Sequence, residues 1–140
     1  MQTGISHIQF IVRSANLPFY TDLFESLGWQ TIMADDETVG VAGKNGESLW
    51  FIGQVRDADG PGIDQMAIGA MNHLAIGADS QADVDTIAAY LTGRGVEMLY
   101  ETPRHRPDFV ESEGETYYQI MFETPDRILL EFVYTGPHQG

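Results

Sequence analysis

The sequence predicts an α+β fold in which one βαβββ unit occurs twice along the chain. Two landmarks carry this prediction. His7 and His73 both lie in apolar, strand-like segments, 66 residues apart (73 minus 7). Gly28 and Gly95 each follow a predicted helix and lie 67 residues apart (95 minus 28). Two independent features with nearly the same offset indicate a duplication, and 43% hydrophobic residues among 140 suffice for a buried core.

The first copy begins with a strand over Ile5–Val12, where apolar and polar residues alternate. Asn16 is predicted to cap a helix whose apolar stripe ends at Leu27, and Gly28 is predicted to stop it. Short strands follow, separated by turn-forming residues, over Gln30–Met33, Thr38–Ala42 and Ser48–Gly53.

The second copy restarts with a strand over Met71–Gly77 and a helix capped by Ser80. Its later strands are predicted over Val96–Tyr100, Tyr117–Phe122 and Ile128–Tyr134, with a long polar loop over 101–116. The predicted organisation is therefore a first module over 1–56, a linker over 57–69, and a second module over 70–140. This module ends in a short tail, predicted to be disordered and to include His138.

Composition excludes several classes of function. Twenty-one acidic residues against seven basic ones give a net charge of -14, which disfavours binding to nucleic acid or to an anionic membrane surface. The chain has no cysteine, so thiolate zinc sites and cysteine nucleophiles are excluded. The first residues form neither a basic nor an apolar leader segment, and the cytoplasm is the expected compartment.

A carboxylate in the last predicted strand points to metal chemistry. Glu131 stands in the middle of an apolar run, where a charge is costly unless it is paired or binds a cation. The first strands of the two modules offer His7 and His73 on the corresponding face. Two imidazoles and one carboxylate suit a single divalent metal, namely iron, manganese or zinc, with nickel and cobalt as further candidates. Such a metal would chelate a substrate through oxygen atoms.

Several short motifs resemble the module signatures of the vicinal oxygen chelate superfamily. They are Ser6-His7-Ile8-Gln9-Phe10, Asn72-His73-Leu74-Ala75, and Phe122-Glu123-Thr124-Pro125-Asp126 leading to Glu131. The resemblance covers nearly the whole chain. It implies paired modules that form a cupped, partly open mixed β-sheet barrel with metal and substrate inside. It also implies a homodimer, and leaves open whether the pocket is built within one chain or across two.

Departures from the superfamily pattern discriminate among its activities. Trp50 stands where the resemblance to glyoxalase I implies a fourth, glutamate ligand. The remaining three-ligand pattern is similar to extradiol dioxygenases, the first expectation, and to fosfomycin-resistance thiol transferases. Gln9 replaces a threonine of the latter. The alternatives are a glyoxalase-type isomerase or lyase, a thiol transferase, and a metal-free binding protein of the bleomycin-resistance kind, which would not need a buried Glu131.

Arg104-His105-Arg106 is the only cationic cluster, and it lies in the long loop of the second module. One interpretation is a local salt bridge with neighbouring glutamates such as Glu101. The other is a lid that contacts an anionic substrate through Arg104 and Arg106, with His105 as acid or base.

Three further side chains are predicted to face the substrate. The superfamily comparison favours Tyr118 pointing inward, where its phenol would hydrogen-bond a metal-held oxyanion. An ordinary core tyrosine is the alternative. Trp50 would form part of the pocket wall if it replaces a ligand, and Gln9 is predicted to contact the substrate.

Overall fold

The computed structural model describes residues Met1–Gly140 as two compact units, Met1–Gly62 and Ile63–Gly140. The boundary falls inside the predicted linker over 57–69. None of the helices has both the length and the apolar character needed to cross a membrane.

The first unit is a four-stranded sheet with one α-helix packed on it. A 3-10 turn over Ser14–Asn16 leads into the helix. The elements are β1 (His7–Arg13), α1 (Leu17–Ser26), β2 (Gln30–Ala34), β3 (Thr38–Ala42) and β4 (Ser48–Gln54). The strand order is β1-β4-β3-β2, with β1 parallel to β4 and the other pairs antiparallel. Aromatic side chains fill the core between helix and sheet. Tyr20, for example, stacks on Phe51 with ring centroids 4.1 Å apart.

The second unit has the same plan. Its elements are β5 (Leu74–Gly77), α2 (Gln81–Gly93), β6 (Arg104–His105), a 3-10 turn over Pro107–Phe109, β7 (Glu115–Glu123) and β8 (Leu129–Pro137). The strand order is β5-β8-β7-β6, and β5 runs parallel to β8. The core between helix and sheet is mainly aliphatic and includes Val84, Leu91, Ile120, Phe122 and Leu130.

The duplicated α+β plan is thereby confirmed, because in both units the first strand pairs with the fourth, the fourth with the third, and the third with the second. Both helices also end in the same way. Gly28 and Gly95 have φ angles of 81° and 80°, a left-handed conformation that glycine adopts without steric cost. The next amide then closes the helix, from Trp29 to the Phe24 carbonyl at 2.9 Å and from Val96 to the Leu91 carbonyl at 3.0 Å.

The helix starts differ from one another. Ser80 caps α2 as predicted, since its hydroxyl accepts from the Asp83 amide at 3.1 Å. Asn16 stands at the N-cap position of α1, but its backbone is already helical and its side chain makes no capping bond. The preceding 3-10 turn brings the chain into the helix instead.

Two predictions for the second unit are wrong. Residues 96–100 do not form a strand, because Tyr100 and Glu101 take left-handed φ angles of 56° and 61°, and the edge strand forms later, at Arg104–His105. The tail is also ordered. The His138 amide donates to the Gly114 carbonyl at 2.8 Å, and Gln139 exchanges two bonds with Gln81 on α2, at 2.6 and 2.9 Å.

Candidate metal centre

Glu131 lies in the middle of β8, opposite Ala75 of β5 and Met121 of β7. Only 4% of the residue is exposed. Its carboxylate is nevertheless fully partnered. The Tyr117 hydroxyl donates to Oε1, and Nε2 of His73 lies 3.2 Å from Oε2. A buried carboxylate is tolerated here because each oxygen has a partner.

His73 stands between two oxygen acceptors. Its Nδ1 lies 2.9 Å from the amide oxygen of Asn72, while its Nε2 faces Glu131. The orientation of the Asn72 amide is set independently, because its nitrogen donates to the Gln65 carbonyl at 3.3 Å. A neutral imidazole has one proton for two acceptors. With that proton on Nδ1, towards Asn72, the lone pair of Nε2 is directed towards Glu131, where a cation would bind.

The His73–Glu131 geometry fits a shared metal ion. Two ligand atoms, each about 2.1 Å from one ion and at angles of about 90–110°, are about 3.0–3.4 Å apart. The observed separation of 3.2 Å between Nε2 and Oε2 falls in this range. The contact between Asn72 and Nδ1 has the form of the outer hydrogen bond that orients an imidazole in metal sites.

His7 occupies the equivalent place in the first unit. It is exposed on β1, on the face it shares with Gln9 and Ile11, and its Nδ1 lies 3.1 Å from the Ser6 hydroxyl. In both units, then, the residue before the histidine contacts Nδ1. Neither unit by itself gathers three histidine or carboxylate side chains into a metal-binding group. The structure brings together His73 and Glu131, and the joint ligand set with His7 stays a prediction.

A cavity of about 830 Å³ opens beside His73 and Glu131, within the second unit. Tyr117, Gln119, Met121 and Leu129 line it from the sheet. The long loop contributes Arg104 and Arg106 together with Tyr100, Glu101 and Phe109. Both predicted arginines therefore face the candidate site, and a volume of this size is usual for a small-molecule site.

Both arginines also have carboxylate partners. Arg106 makes a two-pronged contact with Asp108, at 3.2 and 3.0 Å, and this bond lowers the pKa of Asp108 below its ordinary value. Arg104 lies 3.5 Å from Glu101, as the salt-bridge interpretation predicts. The structure thus contains the salt bridges, and the same side chains line the cavity, so their contact with an anionic substrate stays a prediction.

No family model matches the chain. YqjT, an uncharacterized protein of Bacillus subtilis, is 40% identical over 63 residues, a segment that spans 45% of this chain and 45% of YqjT. A glyoxalase candidate from Bacillus halodurans superposes with a TM-score of 0.75 at 24% identity, over 95% of this chain and 96% of that one. The chain has the vicinal oxygen chelate fold.

Two further structures share the vicinal oxygen chelate fold with this chain. A glyoxalase/dioxygenase from Nostoc punctiforme superposes with a TM-score of 0.71 at 16% identity, covering 96% of this chain and 92% of that one. The fosfomycin resistance protein FosX from Listeria monocytogenes, in complex with Mn(II) and sulfate, gives a TM-score of 0.62 at 22% identity, covering 96% and 91%.

Strand register within this vicinal oxygen chelate fold locates the counterpart of Glu131 in the first unit. Two residues beyond His73, Ala75 pairs with Glu131; two residues beyond His7, Gln9 pairs with Trp50. Trp50 therefore occupies the position of the missing carboxylate, as predicted. Its ring packs over Gly40, where any β-carbon would come within 2.5 Å of the ring. Its indole N–H donates to Ser48 at 3.0 Å.

Two predicted catalytic residues lie on the wrong face of the second sheet. Met121 pairs with Glu131, so the two-residue period of β7 places Tyr117 on the site face and Tyr118 on the helix face. The Tyr118 hydroxyl donates to Asp85 on α2 at 2.6 Å, and burial together with this bond raises the pKa of Tyr118 to about 12. Tyr117 is the tyrosine that contacts the site.

His105 also lies on the helix face, between the rings of Tyr118 and His138, at centroid distances of 4.6 and 4.3 Å. Burial, followed by the neighbouring His138, lowers the pKa of His105 from its ordinary 6.5. His105 faces away from the cavity because successive side chains of an extended segment point to opposite faces. Arg104 and Arg106, on either side of it, line the cavity.

Sequence reasoning missed three residues of the site: Asn72, Asp108 and Tyr117. The pairing of β7 with β8 would have identified Tyr117, since it lies four residues before Met121 and so on the same face. Asn72 and Asp108 act through side-chain contacts that no periodic pattern encodes.

Proposed function

We propose that the chain is a divalent-metal-dependent enzyme that binds a small, oxygen-rich organic substrate, with His7, His73 and Glu131 as ligands. The observation that carries the proposal is His73, held between two acceptors beside a buried carboxylate at the cavity wall. The fold shared with FosX, whose structure contains Mn(II), supports it. Iron, manganese and zinc all suit such a ligand set.

The bound metal would supply Lewis acidity and hold substrate oxygens. The remaining tasks belong to the chain. Asn72 orients His73, and Tyr117 orients Glu131 by donating to Oε1. Burial and the Glu131 contact raise the pKa of Tyr117 above its ordinary 10.0, so the phenol keeps its proton at neutral pH. Arg104 and Arg106, each paired with a carboxylate, would offer guanidinium donors at the cavity wall to an anionic substrate.

Ring-opening oxygenation of the extradiol type is the first candidate reaction, because Trp50 replaces the fourth carboxylate that glyoxalase I chemistry implies. A FosX-like or thiol-transferring reaction is the second candidate, supported by the two arginines at the cavity wall and by the Mn(II) and sulfate described for FosX. Metal-free sequestration is disfavoured, since it gives no role to the His73–Glu131 pair. A homodimer, implied by the superfamily resemblance, belongs to the same proposal.

Metal analysis tests the site. Purified protein loaded with Mn(II), Fe(II) or Zn(II) and then dialysed is expected to retain one ion per chain by mass spectrometry. His73→Gln and Glu131→Gln are each expected to weaken affinity about 100-fold or more. His7→Gln tests the ligand from the first unit. His138→Gln, outside the cavity lining, is the matched control. Unchanged affinity in His73→Gln would refute the ligand set.

Oxygen consumption separates the two reactions. Protein reconstituted anaerobically with Fe(II) is expected to consume oxygen when a catechol is added, and the ring-opened product should absorb in the visible range. Full metal loading without oxygen uptake would rule out the first candidate in favour of the second.

A further inference from the structure

We infer that the cavity binds a small planar carboxylic acid, whose carboxylate replaces Asp108 on the Arg106 guanidinium. This inference names the substrate class of the site and rests on the proposed function in treating the cavity as a substrate site.

The Arg106–Asp108 contact shows the shape of the anion that the cavity wall accepts. Nε and Nη2 of Arg106 each reach one oxygen of the same carboxylate, at 3.2 and 3.0 Å. This parallel arrangement is the preferred geometry between guanidinium and carboxylate. The carboxylate of Asp108 thus stands where a ligand carboxylate would bind.

The two partners are held with unequal firmness. The Arg106 side chain is only 24% exposed, its backbone amide donates to the Tyr117 carbonyl at 2.7 Å, and its guanidinium lies 4.1 Å from the Phe109 ring centroid. The Asp108 side chain is 59% exposed, and the arginine is its partner only two residues away. An ion pair with an exposed partner contributes little to stability, so a ligand would displace Asp108 at small cost while the arginine stays in place.

The surroundings of Arg106 favour a flat ligand. Phe109 lies edge-on to Tyr117, with centroids 5.3 Å apart, and remains 54% exposed although it lines the cavity. Tyr100, also on the cavity wall, is 60% exposed. The exposed aromatic surface of these two residues would gain contact area from a planar ring. Arg104 is less suited to this role, since its single contact with Glu101 is 3.5 Å long.

Calorimetric titration of metal-free protein, kept in a chelator, tests the inference separately from the metal. Benzoate is expected to bind more tightly than cyclohexanecarboxylate, which lacks the flat ring, and than benzyl alcohol, which lacks the charge. Asp108→Ala is expected to tighten benzoate binding about 2–5-fold by removing the competitor. Asp85→Ala removes a carboxylate from the opposite face of the same unit and is the matched control, expected to leave the affinity unchanged.

Arg106→Lys keeps the positive charge and loses the two-pronged geometry, so benzoate should bind about tenfold more weakly. Equal affinity for benzoate and benzyl alcohol, an unchanged affinity in Asp108→Ala, or no detectable benzoate binding would each overturn the inference. Benzoate binding as expected in a protein that retains no metal would support the inference and refute the proposed function. Metal retention without benzoate binding would refute the inference and support the proposed function.

Discussion

The two units follow the same path through space, strand by strand, yet only one of them carries a carboxylate at the site position. Trp50 and Glu131 occupy the same register place relative to His7 and His73. Duplication therefore kept an imidazole in each copy, whereas the carboxylate occurs in one copy only. In the first unit, an indole packed over Gly40 fills the equivalent place and stabilises the sheet.

The second difference between the units is length. Glu131 follows Trp50 by 81 residues (131 minus 50), whereas the histidines are 66 apart, so the second unit has 15 additional residues before its last strand. They lie mainly in the segment that carries Arg104 and Arg106 and lines the cavity. The comparison teaches that the shared frame gives stability, while the unshared loop and the unshared carboxylate give the candidate chemistry.

Core truncation is expected to produce the largest difference between the units. Phe51 and Phe132 are register equivalents, but Phe51 contacts the rings of Phe10, Tyr20 and Phe24, and no ring pairs with Phe132. Phe51→Ala should cost about 3–5 kcal/mol of unfolding free energy. Phe132→Ala should cost about 1 kcal/mol less, because ring pairs add to burial. Chemical denaturation measures both, and equal losses would contradict the aromatic-core difference.

Removing the hydroxyl group of Tyr117 or of Tyr118 tests which of the two tyrosines belongs to the site. Tyr117→Phe leaves a buried oxygen of Glu131 without its donor, which should cost about 1–3 kcal/mol of stability. Metal affinity should also fall about tenfold. Tyr118→Phe loses only a contact with Asp85 and should cost less than about 1 kcal/mol. A larger effect on metal affinity from Tyr118→Phe would refute the assigned faces.

Gly28 and Gly95 should respond alike to substitution, since each ends a helix in the left-handed conformation. Gly28→Ala and Gly95→Ala both force a β-carbon into a left-handed backbone, and neither β-carbon would meet another atom. Each change should therefore cost about 1–2 kcal/mol from backbone strain alone. Thermal unfolding of the two variants checks this. A difference between them well beyond that range would show that the two helix ends are not equivalent.

Acidification should destabilise the second unit through His105, and this is the smallest of the expected effects. The pKa of His105 is lowered in the folded protein, so the unfolded chain takes up a proton first as pH falls. The contribution of neutral His105 to stability is complete above its ordinary pKa of 6.5. It is lost as the pH falls from 6.5 toward the lower pKa of His105 in the folded protein. Melting temperatures at pH 7.5 and 5.5 should differ more in the wild type than in His105→Gln. If the change in melting temperature is the same in the two proteins, a residue other than His105 causes it.

Much of the fold could be predicted from the sequence because its signals are local. Alternation in β1, the apolar run of β8, the apolar stripes of the helices, and the glycines that end them are all signals carried by neighbouring residues. The segment over 96–105 could not be predicted in this way. Val96–Tyr100 has strand composition, but the left-handed backbone at Tyr100 and Glu101 depends on tertiary context.

The residues of the candidate site likewise differ in whether a local sequence signal predicts them. Glu131 was found because a lone carboxylate in an apolar strand needs a partner. The choice between Tyr117 and Tyr118 depended on strand register, in which a shift of one residue reverses every side chain. The partner of Arg106 was unpredictable, because Asp108 is one of several acidic residues in the loop and only the 3-10 turn over Pro107–Phe109 brings it into reach.

The short edge strand β6 has a consequence for self-association. A long open edge offers unpaired amides to any other extended chain. β6 is two residues long, with Pro103 before it and Arg106 and Pro107 after it, so it offers little to a second strand. One edge of the first sheet, β2, is interrupted by a register shift between Thr31 and Met33. The loop that forms the cavity wall therefore also ends the second sheet at β6, and it protects this edge against pairing with another chain.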